Sequence, residues 1–204
     1  VFEGVKVALI EVFGSPELTG RSFAIQGLGK VGEGLLSRIY EPVGPNGKIF
    51  VSDIDPARIE EVKVRYPRIT AVSSDDIDRQ EADVFAPCAL SGAINRKNVG
   101  RLAFKIVVGG ANNQLESESV GDDLYDRKIL YAPDYVANAG GLIAVFDEYK
   151  HPSYDRARVE KAVLRIPEML RKIYAESRTE NVAPSRIANQ IAERIFNEYG
   201  SNAS

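Results

Sequence analysis

Several residue types are scarce in this 204-residue sequence, and each scarcity excludes a class of protein. The single cysteine, Cys88, excludes an intramolecular disulfide. No apolar run is long enough to cross a bilayer. The 26 basic residues are scattered among 29 acidic ones, and the net charge is −3. This charge distribution does not indicate binding to nucleic acid or to an anionic membrane. We therefore expect a cytoplasmic protein whose partner is a small molecule, and we assign no metal site.

Methionine is equally scarce, and no signal-peptide pattern opens the chain. The only methionine is Met169, so we expect that residue 1 is not the translational start. What is present is ordinary for a globular protein, because 44% of the residues are apolar and 27% are charged. A chain of this length buries roughly 70% of its unfolded surface, so we expect one large domain with its own core.

Helical and strand patterns alternate through the first part of the chain. The spacing of apolar residues predicts a leading helix over 1–13, strands at 21–26 and 48–52, and helices over 30–40 and 56–66. Three later apolar runs, at 82–86, 105–108 and 129–132, are typical of buried parallel strands. The alternation predicts an α/β fold of the Rossmann type, with a doubly wound parallel sheet.

From residue 138 the chain is predicted to be helical, with breaks at 151–153 and 181–184 and a kink or interruption at Pro167. Two apolar stripes, over 159–173 and 187–195, are interpreted as core packing, with a partner-helix surface as the alternative. We assign residues 1–150 to a dinucleotide-binding Rossmann domain and 151–204 to a helical C-terminal extension of the same domain.

A glycine-rich fingerprint joins the first predicted strand to the next helix. Its six residues are Gly27, Leu28, Gly29, Lys30, Val31 and Gly32. Gly27 allows a tight turn, Gly29 lets backbone N–H groups approach a pyrophosphate, and Gly32 allows the helix to pack closely. The helix N-terminus adds partial positive charge for the phosphates. A turn without a ligand is the alternative.

Asp53 ends the second predicted strand, 24 residues beyond Gly29. A carboxylate here accepts hydrogen bonds from the adenosine ribose hydroxyls and repels a 2′-phosphate. Arg58 lies a helical turn downstream rather than beside it, so we expect NAD rather than NADP as the cofactor. Ile54 belongs to the same expected cofactor site, and Asp55 is interpreted as the N-cap of the following helix.

Three longer strings complete the pattern, at 86–90, 110–115 and 131–141. With the glycine loop and Asp53, they closely resemble the NAD-binding, C-terminal domain of leucine, phenylalanine and valine dehydrogenases in the glutamate dehydrogenase superfamily. The resemblance covers nearly the whole chain. Two departures are a longer loop at 41–47 and Gly110, which stands where a serine is common.

The resemblance implies roles for residues that no pattern would single out. Cys88 and Ala89 would line the nicotinamide-ribose region, and Cys88 need not be a nucleophile. The further cofactor residues that it implies are Ala111, Asn112 and Asn138. The substrate residues that it implies are Asn113, Leu142 and Val145. Loop capping is the alternative for the asparagines and core packing for Leu142 and Val145. Asp134 is interpreted as a loop residue and Asp147 as part of a solvated helix face.

The resemblance also implies an oxidoreductase activity, the reversible oxidative deamination of a branched-chain or aromatic L-amino acid to a 2-oxo acid and ammonia. The lysines and the aspartate that perform it belong to an N-terminal substrate domain whose glycine-rich segment this sequence lacks. We therefore assign no catalytic residue here, expect this chain alone to be inactive, and expect the full-length enzyme to be a homo-oligomer. The alternative is a stand-alone NAD-binding or sensory module.

Overall fold

The computed structural model describes residues 1–201. Within that range six strands alternate with helices along most of the chain. The strands are β1 (Ser22–Gln26), β2 (Lys48–Ser52), β3 (Ile69–Ala71), β4 (Val84–Pro87), β5 (Ile106–Val107) and β6 (Leu130–Tyr131). The helices are α1 (Phe2–Phe13), α2 (Lys30–Val43), α3 (Pro56–Arg65), α4 (Glu118–Asp126), α5 (Asp134–Ala137), α6 (Gly140–Lys150), α7 (Arg156–Val163), α8 (Arg165–Glu180) and α9 (Pro184–Ser201).

The six strands form one sheet in the order β3-β2-β1-β4-β5-β6, and every neighbouring pair is parallel. The chain builds outward from β1 through β2 and β3, and then returns to the other side of β1 with β4. Strand order therefore reverses between β1 and β4, which is the topological switch point of a doubly wound sheet. The predicted Rossmann-type α/β fold with a helical C-terminal segment is confirmed.

Successive residues of the central strands face two separate cores, because side chains alternate across a strand. Phe23 and Ile25 of β1 pack into the larger core, which also contains residues of α1, α2, α8 and α9. Ala24 of β1 and Phe85 of β4 face the smaller core, which α4 helps to cover. Burial on both faces explains why these strands appear in the sequence as continuous apolar runs.

The C-terminal stripes are largely core, as predicted. Leu170 and Ile173 of α8 and Ile187 of α9 are buried in the larger core. Ile195, at the end of the second stripe, is exposed. None of the helices within residues 1–201 is long and apolar enough to cross a membrane.

Some element boundaries differ from the prediction. The sequence pattern did not identify β3, which has only three residues, or α4, whose sequence is mostly polar. Helix α2 continues to Val43 with Pro42 inside its last turn, and the chain leaves the helix only at Gly44. Pro167 lies in the first turn of α8, where proline is tolerated, and the helical stretch is interrupted just before it, at Leu164.

Candidate functional site

A cleft of about 810 Å³ opens where β1, β2 and β4 end. In open α/β sheets, ligands bind outside the carboxyl ends of the strands at the point where strand order reverses, and this cleft lies there. Six residues from the sequence-based prediction line it: Gly27, Gly29, Asp53, Ile54, Cys88 and Ala89. The remaining predicted residues do not line this cleft.

Two glycines of the loop are required by the backbone. Gly27 has φ of +90°, and a Cβ built on it would lie 2.8 Å from the Cβ of Ala89. A Cβ on Gly32 would lie 1.9 Å from the carbonyl oxygen of Gly27, so the first turn of α2 packs against the loop itself rather than against the sheet. Any larger residue at either position would push the loop out of place.

Gly29 differs from these two because a Cβ there would meet no atom within 4 Å. It is exposed and forms the N-cap of α2, where backbone N–H groups lack helical partners. Lys30 and Val31, which follow, are also exposed. This open space before a helix N-terminus fits a pyrophosphate, which such termini bind through N–H groups and the helix dipole.

The peptide groups of Leu28 are held from both sides. Its N–H donates to the Oδ2 atom of Asp53 at 2.6 Å, and its carbonyl accepts from the Nε atom of Arg58 at 2.9 Å. Its side chain is buried in the larger core. Asp53 also accepts the N–H of Asp55 at 2.9 Å, and Asp55 caps α3 by accepting from Ala57, as predicted. Leu28 is therefore fixed at the tip of the glycine loop.

Four charged residues of α2 and α3 form a cluster that contacts this loop through Arg58, and we call them the Glu33 cluster: Glu33, Arg58, Glu61 and Arg65. Glu33 pairs with both arginines, and so does Glu61. The hydrogen bond to Glu61 is the main cause that raises the pKa of Arg58. The sequence-based prediction had placed Arg58 away from the site because it counted residues along α3, whereas the α2–α3 packing brings Arg58 to the loop.

Cys88 and Ala89 lie opposite the glycine loop, immediately after β4. The N–H of Cys88 donates to the carbonyl of Gln26 at 2.7 Å, so this segment is hydrogen-bonded to the end of β1. Burial raises the pKa of the Cys88 thiol to about 11. The thiol is therefore protonated at neutral pH, which agrees with its interpretation as a small packing residue rather than a nucleophile.

The asparagine strings meet in one hydrogen-bonded network. The Nδ2 atom of Asn138 donates to the Oδ1 atom of Asn112 at 2.7 Å and to the carbonyl of Ala111 at 3.4 Å. Ala111 is tied to the strand end because its N–H donates to the carbonyl of Pro87 at 2.9 Å. The network joins the loop after β5 to the start of the helical segment at 138–150.

Asn113 adopts a left-handed conformation, with φ of +51°, and its side chain is exposed. The turn is fixed by Asp134, whose carboxylate accepts the N–H of Gln114 at 2.7 Å and that of Tyr135 at 2.6 Å. Asp134 is buried. Asp134 is the first residue of α5, so its interpretation as a loop residue is wrong, although its carboxylate fixes the neighbouring turn at 113–114.

Gly110, the departure from the family pattern, has a packing reason. A Cβ on Gly110 would lie 2.2 Å from a γ-methyl group of Val31. The loop after β5 therefore approaches the first turn of α2 through a glycine facing a β-branched side chain. A serine at 110 would require Val31 to rotate or shift.

Helix α6 leaves its apolar face in solvent. Leu142 is 73% exposed and Val145 is 62% exposed, so neither is a core residue in this chain. Leu142 lines a second cleft of about 830 Å³ between α6, α7 and α8, not the cleft at the glycine loop. Asp147 was expected on a solvated face, which is wrong, because it is buried and paired with Arg158 of α7.

The far wall of the first cleft was missed from the sequence. It is formed by the segment around 74–79 and by the loop at 91–101. Asp78, buried there, accepts from the Nδ2 atom of Asn98 at 3.0 Å and from the Nη2 atom of Arg101 at 2.7 Å. Its only sequence signal is charge in a loop, which is typical of any surface. No group of metal-ligating side chains was found among residues 1–201.

Comparison with known proteins places this geometry in a family. The family model for glutamate/leucine/phenylalanine/valine dehydrogenases matches residues 4–195. The chain belongs to this family. The resemblance seen in the glycine loop, Asp53 and the three later strings is thereby confirmed.

The individual relatives are named for four different amino-acid substrates. The phenylalanine dehydrogenase of Caldalkalibacillus thermarum is 42% identical, over 95% of this chain and 52% of its own length. An L-tryptophan dehydrogenase of Nostoc punctiforme is 40% identical, over 100% of this chain and 56% of its own. Valine and leucine dehydrogenases from Streptomyces virginiae and Geobacillus stearothermophilus also match. The chain spans about half the length of these curated relatives.

Solved structures agree in fold. The crystal structure of L-tryptophan dehydrogenase from Nostoc punctiforme superposes with a TM-score of 0.89 at 38% identity, covering all of this chain and 60% of that one. A hetero-hexameric glutamate dehydrogenase from Thermus thermophilus superposes with a TM-score of 0.65 at 21% identity, covering 91% of this chain and 48% of that one, which supports the fold alone.

Proposed function

We propose that this chain is the NAD-binding part of an amino-acid dehydrogenase that reversibly deaminates a branched-chain or aromatic L-amino acid to a 2-oxo acid and ammonia. The observation that carries the proposal is the open N-terminus of α2 at Gly29, with the Asp53 carboxylate at the neighbouring strand end. The related dehydrogenases act, by their names, on phenylalanine, valine, leucine and tryptophan. No relative named above favours a stand-alone binding module.

The cofactor would lie across the switch point of the sheet. The glycine loop and the N-terminus of α2 would hold its pyrophosphate, and Asp53 would accept hydrogen bonds from the adenosine ribose. Ile54, 88% exposed, offers an apolar surface beside that ribose. When bound, NAD supplies the hydride acceptor for the α-carbon of the amino acid.

NAD rather than NADP is favoured by the charges at the ribose end. Asp53 places a carboxylate at the end of β2, where it would repel a 2′-phosphate. The nearby guanidinium of Arg58 already has partners on all three of its nitrogens. The charges at this end of the cleft therefore favour NAD, which lacks a 2′-phosphate, over NADP.

The nicotinamide end would be shaped by the segment after β4 and by the asparagine network. Cys88, Ala89 and Ala111 would line the nicotinamide ribose, while Asn138 and Asn112 would orient the ring. Because Asn138 is held by Asn112 and Ala111, its amide is positioned before any ligand binds. Preorganisation of this kind lowers the entropy lost on binding.

The substrate side is only partly present in this chain. Asn113 would contact the amino-acid carboxylate, and the exposed side chains of Leu142 and Val145 would border the substrate side chain. No catalytic residue is assigned here. We propose that an N-terminal domain supplies proton transfer, that the complete enzyme is a homo-oligomer, and that residues 1–150 form the dinucleotide domain with 151–204 as its helical extension.

A chimeric enzyme tests the activity. This chain would replace the matching part of the Nostoc punctiforme L-tryptophan dehydrogenase, and NADH formation would be followed with leucine, valine, phenylalanine and tryptophan. We expect amino-acid-dependent NADH formation, reduced in an Asp53→Ala chimera because the ribose contact is lost. A folded chimera that binds NADH and oxidises none of the four amino acids would contradict the proposal.

A further inference from the structure

Each of the three nitrogens of the Arg58 guanidinium donates a hydrogen bond to a partner near the glycine loop. Its Nε atom donates to the carbonyl of Leu28 at 2.9 Å, and its Nη1 atom to Glu61 at 2.6 Å. Its Nη2 atom donates to Glu33. A guanidinium has five N–H donors, and a bidentate contact uses two of them on adjacent nitrogens. Because all three nitrogens of Arg58 already have partners, its guanidinium is poorly placed for such a contact with a phosphate.

Glu33 is less exposed to solvent than Glu61, the other acid of the cluster. Its side chain is 18% exposed, against 59% for Glu61, and it pairs with both Arg58 and Arg65. Partial burial strengthens such pairs because less water screens them. Glu33 also lies in the first turn of α2, close to the expected pyrophosphate site. Two carboxylates and two guanidiniums leave the cluster with no net charge.

We propose that Glu33 is a specificity-determining residue for the dinucleotide, because it holds Arg58 against the glycine loop and withholds that cation from a 2′-phosphate. This inference rests on the proposed cofactor site and adds a second device to the carboxylate of Asp53. Asp53 repels a 2′-phosphate directly, whereas Glu33 removes the adjacent positive charge that could attract one.

Replacing Glu33 with a neutral residue makes the Glu33 cluster more positive by one charge. With glutamine at 33, Glu61 is the only carboxylate left for Arg58 and Arg65, and the cluster carries a net charge of about +1. The Nη2 edge of Arg58 then loses its anionic partner while Nε still donates to Leu28. A phosphate gains more from this cation than a ribose hydroxyl does, because charge-assisted hydrogen bonds are the stronger ones.

The test measures dissociation constants for NADH and NADPH by calorimetry on this chain and its variants. Glu33→Gln is expected to shift the ratio of the two constants about tenfold toward NADPH, the size expected for one charge-assisted contact. Adding Arg58→Met to Glu33→Gln should abolish the shift. Glu61→Gln should shift the ratio in the same direction by less, because Glu61 is more exposed and leaves Glu33 in place.

A matched control is available in α8. Glu176 pairs with Arg194 and Lys172 and is 24% exposed, so Glu176→Gln removes a comparable ion-pair acid outside the cleft. It should leave the ratio unchanged, which separates a specific effect from a general loss of surface charge. Thermal unfolding of each variant confirms that the binding measurements are made on folded protein.

The outcomes separate this inference from the proposed function. A parent that prefers NADH, with a ratio that moves only when Glu33 or Glu61 is neutralised and Arg58 is present, supports both. A parent that prefers NADH and a Glu33→Gln variant with the same ratio would overturn the role of Glu33 and leave the proposed function intact. A folded parent that binds neither dinucleotide would overturn both.

Discussion

Helix α2 follows the glycine loop and helix α6 begins with Gly140 and Gly141. Both helices carry residues assigned to the candidate site, yet their surroundings differ. The first turn of α2 packs against the glycine loop through Gly32, and Leu36 on the same helix is fully buried. The face of α6 that carries Leu142 and Val145 is mostly in solvent. The proposed cofactor side is thus built by contacts within this chain, whereas the proposed substrate side presents exposed apolar residues.

The difference shows how the same residue type acquires different roles. A leucine in α2 stabilises the fold, while a leucine in α6 contributes little to it and is available for a ligand or another part of the protein. Because the chain spans about half the length of its curated relatives, an unfinished substrate side agrees with the proposed division of labour.

A leucine-to-alanine substitution in each helix should give the largest difference in stability between α2 and α6. Leu36→Ala is expected to lower the free energy of unfolding by about 2–5 kcal/mol, because it leaves a cavity in the core. Leu142→Ala should change it by less than about 0.5 kcal/mol, because the side chain is exposed. Urea unfolding of both variants measures the two values. Equal losses would show that α6 is packed in solution in a way that this structure lacks.

Two glycine variants distinguish the contribution of α2 to stability from its contribution to dinucleotide binding. Gly32→Ala places a Cβ against a backbone oxygen and should cost about 1–3 kcal/mol of unfolding free energy together with dinucleotide binding. Gly29→Ala meets no protein atom, so it should cost less than about 1 kcal/mol, from the poorer helix cap, and weaken NADH binding.

Thermal unfolding and calorimetry separate the two effects. A Gly29→Ala variant that binds NADH as tightly as the parent would place the pyrophosphate elsewhere.

Asp53 is expected to contribute both to stability, through its backbone hydrogen bonds, and to NADH binding. Asp53→Asn weakens the acceptor for the N–H of Leu28, and we expect a loss of about 1 kcal/mol in unfolding free energy and about tenfold in NADH affinity. Asp55→Asn is the control, because asparagine caps a helix as well as aspartate does. Equal effects of the two substitutions on NADH affinity would argue against a ribose contact by Asp53.

The smallest expected effect concerns the pH dependence of the α6–α7 contact. The hydrogen bond from Arg158 holds the pKa of Asp147 below its ordinary value. A depressed folded-state pKa adds stability above the unfolded value of about 3.9, and this stability is lost as the pH falls through the folded value. Asp147→Asn should therefore lower Tm at pH 7, and the difference from the parent should shrink below about pH 4.

Calorimetric scans between pH 3 and pH 7 would measure that difference. Asp75→Asn, at the exposed rim of the cleft, serves as the control. A Tm difference for Asp147→Asn that stays constant over this range would show that the ion pair with Arg158 does not stabilise the contact.

Much of the fold could be predicted because its signals are local. Each signal determines the backbone structure at its own position in the chain. Examples are the glycine fingerprint, the apolar runs of the strands and Pro56 at a helix start. β3 and α4 could not be predicted, since a three-residue edge strand and a polar helix lack a clear apolar period. The fold class survived these omissions because the remaining strands already alternate with helices.

The sequence predicted only those residues of the candidate site that belong to a recognisable motif. Gly27, Gly29 and Asp53 follow from the fingerprint and lie together in the cleft. Arg58 and Asp147 were misjudged for one reason, since each is positioned by packing between helices that sequence spacing does not reveal. The exposure of Leu142 is likewise a property of the packed helices, so the sequence left core packing open for it.

A calorimetric titration of this 204-residue chain with NADH and NADPH, beside an Asp53→Ala variant, asks whether the glycine loop and Asp53 form an NAD site. Our account predicts saturable NADH binding, weaker NADPH binding, and a loss of NADH affinity in the variant. No binding of either dinucleotide by the folded chain, or a preference for NADPH, would contradict the assignment of the glycine loop and Asp53 as an NAD site.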